Sequence, residues 1–254
     1  MSGMLFRQYG EGPGYGYFPG LVAEGLLHGV FSRQGGTSRS PYHSLNVSLG
    51  VGDDPAAVLA NRASLKSALG LTTLVSARQV HGDRILTVAT PPAGDFEADG
   101  YDALVTGCRV GLMIQQADCQ AVILHDPVTP ALGLVHAGWR GSVAGIIGST
   151  VRAMVGAFGS DPARLLAAIS PALGPCCAEF INYRRELPVW MHDFQVRQNH
   201  FDFPAITARQ LAEAGVKPER ISRAGLCTHC NSDYFSYRRD RVTGRFATVA
   251  ALVG

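Results

Sequence analysis

Apolar positions along this chain fall into two patterns. Between residues 102 and 138 they come in short runs, 103–106, 111–116, 121–125 and 131–136, each bounded by Gly, Asp or Pro. Short apolar runs closed by turn residues predict strands. Elsewhere the apolar residues recur at helical spacing. Asp53-Asp54-Pro55 supplies a capping carboxylate and a first-turn proline. It predicts a helix running to about Leu69, with Val58, Leu65 and Leu69 on its inner side. Val143, Ile146, Ile147, Val151 and Val155 predict one long helix over 142–158. Further helices are expected at 183–193 and 204–214. Strands are expected within 20–33, on both sides of His81 within 73–90, and at 165–170, 221–226, 233–238 and 245–252.

Strands and helices mix without regular alternation, which disfavours a TIM barrel or a Rossmann unit. The pattern predicts an α+β fold, a single domain of mixed β-sheets packed with outer helices. Residues 1–20 read as an irregular arm rich in Gly and aromatics, and residues 21–254 as the catalytic domain. A chain of 254 residues buries enough apolar surface to fold without disulfides. A net charge of +2, with no basic run, argues against a nucleic-acid partner. No apolar stretch reaches the roughly 18 residues of a membrane span, and the start lacks the charged and apolar blocks of a signal peptide. A cytoplasmic location is expected. Thiols stay reduced there, so the six cysteines read as ligands, reactive groups or core residues rather than disulfides. The pattern leaves the oligomeric state open, with a monomer the simpler expectation.

Three residues carry candidate chemistry. His81 follows Gln79-Val80, Cys119 follows Ala117-Asp118, and His136 precedes Ala137-Gly138-Trp139-Arg140-Gly141. Each falls at the end of a predicted strand or in a tight connection, where a sheet can bring distant residues together. Two imidazoles and a thiolate suit Zn²⁺, and three protein ligands leave a fourth position for water or substrate. Asp118 is then a candidate base or a brace for the site. Taken singly, each residue has a plainer reading as a structural His or a core Cys, and no tight ligand pair anchors the trio.

The segments that hold these residues resemble a known family. They are FSRQGGTS (31–38), HSLNVSLGVGDDPAAVLANR (43–62), RQVHGDRI (78–85), DALVT (102–106), ADCQAVIL (117–124), VHAGWRG (135–141), GPCCAEF (174–180), GLCTHC (225–230) and FSYRRDRVTGR (235–245). In that order they resemble the laccase-domain or polyphenol oxidase family, also called the purine nucleoside phosphorylase or peptidoglycan editing factor family. The resemblance implies zinc on His81, Cys119 and His136. It also implies phosphorolysis of adenosine, inosine and methylthioadenosine, with adenosine deamination as a further activity. Purine nucleosides and phosphate are then the partners. Gln116 and Gln120 depart from the family's usual residues beside the metal and bear on substrate preference.

Cys119, Asp118 and Arg140 are the candidate catalytic residues. For phosphate, Arg140 with the amides after Gly141 is one candidate. Arg33 with the Gly35-Gly36-Thr37-Ser38 loop is another, although such a loop is commonly only a turn. Asn46 is a candidate for a ribose hydroxyl, or a turn-stabilising residue. Arg62 is a candidate substrate contact, or the partner of a neighbouring acid. Cys227-x-x-Cys230 with Cys176-Cys177 invites a second metal site. Adjacent cysteines normally point apart, so a packed set of reduced thiols is expected instead.

Three other functions compete. A copper polyphenol oxidase would need many His ligands, and the eight His here include no His-x-His pair. An amidase acting on peptidoglycan precursors would use Cys119 as nucleophile and His136 or His81 as base. A binding module would hold its zinc for structure alone.

Overall fold

A computed structural model of the chain describes residues 3–8 and 12–253. In chain order the strands are β1 (Leu5–Arg7), β2 (Tyr15–Tyr17), β3 (Leu26–Phe31), β4 (Leu74–Arg78), β5 (Ile85–Val88), β6 (Phe96–Asp99), β7 (Ala103–Thr106) and β8 (Gly111–Gln116). They continue with β9 (Gln120–Asp126), β10 (Ala131–Ala137), β11 (Leu166–Ile169), β12 (Gln195–Arg197), β13 (His200–Phe201), β14 (Ile221–Arg223) and β15 (Phe246–Leu252). The helices are α1 (Pro19–Ala23), α2 (Pro55–Leu69), α3 (Trp139–Val143), α4 (Ile146–Phe158), α5 (Tyr183–Glu186), α6 (Phe203–Glu213) and α7 (Tyr237–Asp240).

Two mixed sheets form the body, in the orders β1-β2-β3-β15-β8-β4-β6 and β14-β11-β9-β10-β7-β5. The period-two alternation of strand side chains assigns the layers. Leu104, Ile123, Leu132 and Leu134 of the second sheet share one core with Val75, Ala77, Leu112 and Ile114 of the first. The alternate residues Val105, Val122, Leu124 and Val135 pack instead on Ile147, Val151 and Met154 of α4 and Leu211 of α6. On the far side, Leu74, Met113 and Val249 pack on Leu65 and Leu69 of α2. The architecture is therefore helix, sheet, sheet, helix. It is a mixed α/β single domain and not a barrel. All seven residues of β9 and all seven of β10 are buried, which is why these runs read as unbroken apolar stretches. No helix among the described residues is long and apolar enough to cross a membrane.

The predicted helix at 55–69 forms as expected. The Asp54 carboxylate accepts from Ala56 N, and Gly70 closes the helix in the left-handed conformation at φ 65°. Four expectations differ from the structure. The helix expected at 142–158 is two helices, α3 and α4, because Gly145 adopts φ 80° between them. The helix expected at 183–193 is the single turn α5, then Pro188 and a 3₁₀ segment over Val189–Phe194. The segment 233–238 is not a strand. Tyr234 and Phe235 are both fully buried but lie in a turn, where Tyr234 N donates to the Asn231 carbonyl, and the Ser236 hydroxyl caps α7 by accepting from Arg239 N. The arm at 1–20 holds β1 and β2, which pair antiparallel and extend the first sheet through β3. All three residues of β1 are exposed, so no apolar pattern marks it.

Candidate metal centre

The register of three strands builds the site. In the β9–β10 hairpin His136 pairs with Ala121 and Ala137 with Gln120, which sets Cys119 beside the end of β10. Val135 pairs with Ala103 of β7, so His136 lies next to Asp102, and its amide donates to the Asp102 carbonyl at 2.7 Å. β5 runs parallel to β7 with Ile85 opposite Ala103, which brings the loop before β5 over the same point. That loop carries His81.

One ligand atom from each of His81, Cys119 and His136 lies within 4.8 Å of the others. The His81 and His136 rings meet edge to face with centroids 4.9 Å apart. Gly138 lies directly beneath them. A Cβ there would stand 2.9 Å from His81 Cδ2 and 3.1 Å from Cys119 Sγ, so only glycine leaves the ligands room. His81 at φ 61° and Asp118 at φ 92° both occupy the left-handed region that a side chain disfavours. Strain of this kind concentrates where a site holds residues in a required position.

Asp102 organises the trio, and sequence reasoning missed it. The carboxylate is fully buried. Its Oδ1 accepts from His81 N at 2.9 Å and from His136 Nδ1 at 2.8 Å. Its Oδ2 accepts from Gly82 N at 2.7 Å and from Val80 N at 3.2 Å. Burial alone would raise its pKa, but the hydrogen bonds from His136 and the Gly82 amide outweigh it and hold the acid below its usual range. With Nδ1 of His136 engaged by Asp102, Nε2 is the atom that faces Cys119 and would ligate a metal once it gives up its proton. Burial raises the Cys119 thiol, yet His136 and His81 more than compensate and bring it to about 6. His136 is drawn the other way: burial lowers it, the Cys119 and Asp102 charges raise it, and it rests at about 9. The trio thus favours a thiolate with a cationic partner. Two imidazoles and a thiolate match the nitrogen–sulfur donor set of Zn²⁺ with one position left over.

The trio opens into a cleft of about 850 Å³. Trp139, Phe180 and Phe203 give it an aromatic wall, while Arg140, Arg241 and Arg245 contribute positive charge. The Arg140 guanidinium stacks on the Trp139 ring at 4.3 Å. Asp118 and Gln120 also line the cleft. The Asp118 carboxylate is already engaged, accepting from Thr228 Oγ1 at 2.7 Å and from Arg238 N at 2.6 Å. It braces two loops at the cleft. Buried Gln116 donates from Nε2 to the Cys119 carbonyl at 3.0 Å and to Ser170 Oγ at 2.7 Å. Gln120 is buried, but its Oε1 has no partner among the described residues.

Arg33, Ser38, Asn46 and Arg62 do not line the cleft. Arg33 donates to the His43 carbonyl at 2.8 Å and lies over the Phe235 ring. Ser38 accepts from Asn61 Nδ2 at 2.9 Å, and a Cβ on Gly36 would strike the Ser44 carbonyl and Leu45 Cα. The glycine loop is a packed turn. Asn46 donates to the Ser48 carbonyl and to Asp53 Oδ2, and accepts from Ser48 N and Arg245 N. Arg62 donates to the Val47 carbonyl at 2.8 Å and to Glu97 at 2.5 Å. The amides after Gly141 are also committed: Ser142 N donates to the Gly138 carbonyl and Ala144 N to the Arg140 carbonyl. Arg241 and Arg245 were visible only as charges in the 235–245 segment; nothing in their spacing pointed at the cleft. Cys176 and Cys177, expected to point apart, instead both turn toward Cys227 and Cys230.

A strand-borne histidine, a loop histidine and a thiolate from the turn before β9, organised by a buried carboxylate, define a metal-ligand type of centre on this two-sheet fold. The chain belongs to the family described as multi-copper polyphenol oxidoreductase laccase, whose model matches residues 27–253. It is similar to the purine nucleoside phosphorylase ORF3 of Streptomyces griseus, 40% identical over 232 residues that cover 88% of this chain and 93% of the relative. Among solved structures, YlmD from Geobacillus stearothermophilus aligns with a TM-score of 0.87 at 30% identity, covering 99% of this chain and 100% of that one. A hypothetical protein YfiH from Bacillus licheniformis aligns with a TM-score of 0.85 at 30% identity, covering 98% of this chain and 99% of that one.

Proposed function

We propose that this protein is a zinc-dependent purine nucleoside phosphorylase. It splits adenosine, inosine and S-methyl-5′-thioadenosine with phosphate, giving the free base and the sugar 1-phosphate, and it also deaminates adenosine. The observation that carries this reading is the cleft itself: a His–Cys–His trio set between an aromatic wall and a group of arginines. The name of the Streptomyces griseus relative supports the phosphorylase assignment.

In phosphorolysis a phosphate oxygen bonds to ribose C1′ as the C1′–N bond breaks and its electron pair passes to the purine. Zinc bound by His81, Cys119 and His136 would supply Lewis acidity beside these atoms. The chain does the rest. Arg140, Arg241 and Arg245 offer guanidinium donors suited to the planar recognition of phosphate oxygens. Trp139, Phe180 and Phe203 provide apolar faces against which a purine stacks. The same reading places the enzyme in the cytoplasm, where Cys119 stays reduced and phosphate is at hand.

The donor set speaks against copper oxidase chemistry, whose multinuclear centres use many more histidines. Among the described residues, the groups able to hold a metal are this trio and a set of four cysteines. One feature does favour the amidase reading, because Cys119, His136 and Asp102 stand in a thiol–imidazole–carboxylate line.

The test is a product assay on inosine with and without phosphate. The phosphorylase reading expects hypoxanthine and ribose 1-phosphate only when phosphate is present. Adenosine alone should yield inosine and ammonia. Equal release of base without phosphate would make the enzyme a hydrolase. Release of amino acids from a peptidoglycan precursor, with no turnover of nucleosides, would establish the amidase.

A further inference from the structure

Outside the cleft floor, Cys176, Cys177, Cys227 and Cys230 place their four Sγ atoms within 4.8 Å of one another. Two loops deliver them. The first turns tightly after Gly174, where Cys177 N and Ala178 N both donate to the Gly174 carbonyl. In a turn of this kind successive side chains fan by about 100° rather than the 180° of a strand. That is how two adjacent cysteines reach one point. The second loop is Cys227-Thr228-His229-Cys230, a Cys-x-x-Cys turn in which Asn231 N donates to the Cys227 carbonyl at 3.0 Å.

We propose that these four cysteines form a second metal site, a tetrathiolate centre for Zn²⁺ that is separate from the His81–Cys119–His136 trio. Three observations support it. Cys230 Sγ lies 3.5 Å from Cys177 Sγ and 3.7 Å from Cys176 Sγ. Ligands 2.3 Å from a tetrahedral ion stand about 3.8 Å apart, whereas disulfide sulfurs stand about 2.0 Å apart. Cys230 therefore stands from each of the paired cysteines at the spacing of two ligands on one ion, and all four sulfurs lie within 4.8 Å of one another. Next, donors surround the cluster. Gly174 N donates to Cys227 Sγ at 3.3 Å, and His229 Nδ1 lies 3.4 Å from Cys177 Sγ. A Cβ on Gly174 would stand 2.9 Å from Cys227 Cβ, so the approach of the two loops depends on that glycine. Finally, cations are tied to the ligand loops. Arg197 donates to the Cys176 carbonyl, Arg238 to the Cys177 carbonyl, and Arg239 to the carbonyls of Thr228 and His229. Four thiolates on Zn²⁺ carry a net charge of −2, and nearby guanidinium groups offset it.

The position gives the centre its role. Leu173, Ala178 and Phe180 flank the first cysteine pair and line the cleft. Thr228, inside the second pair, donates to Asp118 beside Cys119. The ion clips the loop that bears part of the aromatic wall to the loop that braces Asp118. It serves structure rather than chemistry, because its four protein ligands leave no open position.

Metal counts on the full chain, purified with a thiol reductant, test the proposal. With both sites filled, wild type holds two zinc ions per chain. Cys119→Ala and His81→Ala each hold one, and so does the double variant Cys176→Ser/Cys230→Ser. Cobalt loaded into Cys119→Ala, whose four-cysteine group is intact, should show strong thiolate-to-metal charge-transfer absorption. A wild-type count of one that falls to zero in Cys119→Ala overturns the proposal and leaves the catalytic site standing. A count of one retained in Cys119→Ala and lost in the double variant supports it even if the catalytic site holds no metal. Cobalt-loaded Cys119→Ala without that absorption, or with two disulfides in place of four thiols, overturns it.

Discussion

Asp102 has no exposed surface, yet three amides and one imidazole donate to it. It therefore fixes the His81 backbone, selects the His136 tautomer and compensates positive charge, all with one carboxylate. Asp102→Asn keeps the volume but loses the charge and turns one acceptor into a donor. We expect zinc affinity at the trio to fall by about 10- to 100-fold, measured by competition with a chromogenic chelator. Unchanged affinity would mean that the ligands hold their geometry without it. Arg62 makes the opposite case. Its partners are the Val47 carbonyl and Glu97, so Arg62→Met should cost roughly 2 kcal/mol in urea unfolding. The KM values for nucleoside and phosphate should not change. A raised KM with unchanged stability would return Arg62 to the substrate site.

At the scale of elements, His28 in β3 links the sheet to the start of α1. Its Nε2 accepts from Phe18 N at 2.8 Å, so the ring is held neutral. Burial lowers its pKa most, the Leu26 carbonyl opposes this, and the charge of His125 adds to the lowering, from 6.5 to about 4. The unfolded chain therefore binds this proton more tightly than the folded one. The stabilisation is complete above pH 6.5 and is lost as pH falls toward 4. At 1.36 kcal/mol for each pH unit, the loss across that window is about 3 kcal/mol. His28→Gln keeps an acceptor for Phe18 N but does not titrate. Its urea midpoint should fall less steeply than that of wild type between pH 7 and pH 4. Parallel profiles would show that His28 is not held neutral in the fold.

How much of this was legible in the sequence depended on where each element sits. The central strands β7 to β10 were readable because both faces are buried and the runs are unbroken. β1 was not, because its exposed residues owe their strand conformation to pairing at a sheet edge. The break at Gly145 was hidden because the apolar spacing continues across it. In the site, the three ligands stood out through their motifs, whereas Asp102 resembled any acid before a strand until β7 was placed beside β10. The four cysteines misled for a related reason: the expectation that neighbours point apart holds in a strand, and Cys176 and Cys177 lie in a turn.

At the scale of the whole molecule, two sheets packed face to face fix the ends of β9 and β10, and the loops around them form the cleft. A chain with net charge +2 concentrates Arg140, Arg241 and Arg245 at one opening, which gives an anionic substrate a local attraction that the overall charge does not. Everything proposed for catalysis depends on one ion at the trio. The most direct measurement is X-ray diffraction from crystals of the zinc-loaded protein, recorded on both sides of the zinc absorption edge. The account predicts an anomalous peak within bonding distance of an imidazole nitrogen of His81, Cys119 Sγ and His136 Nε2. Density at that point with no anomalous signal, or a peak that touches fewer than all three residues, would contradict it.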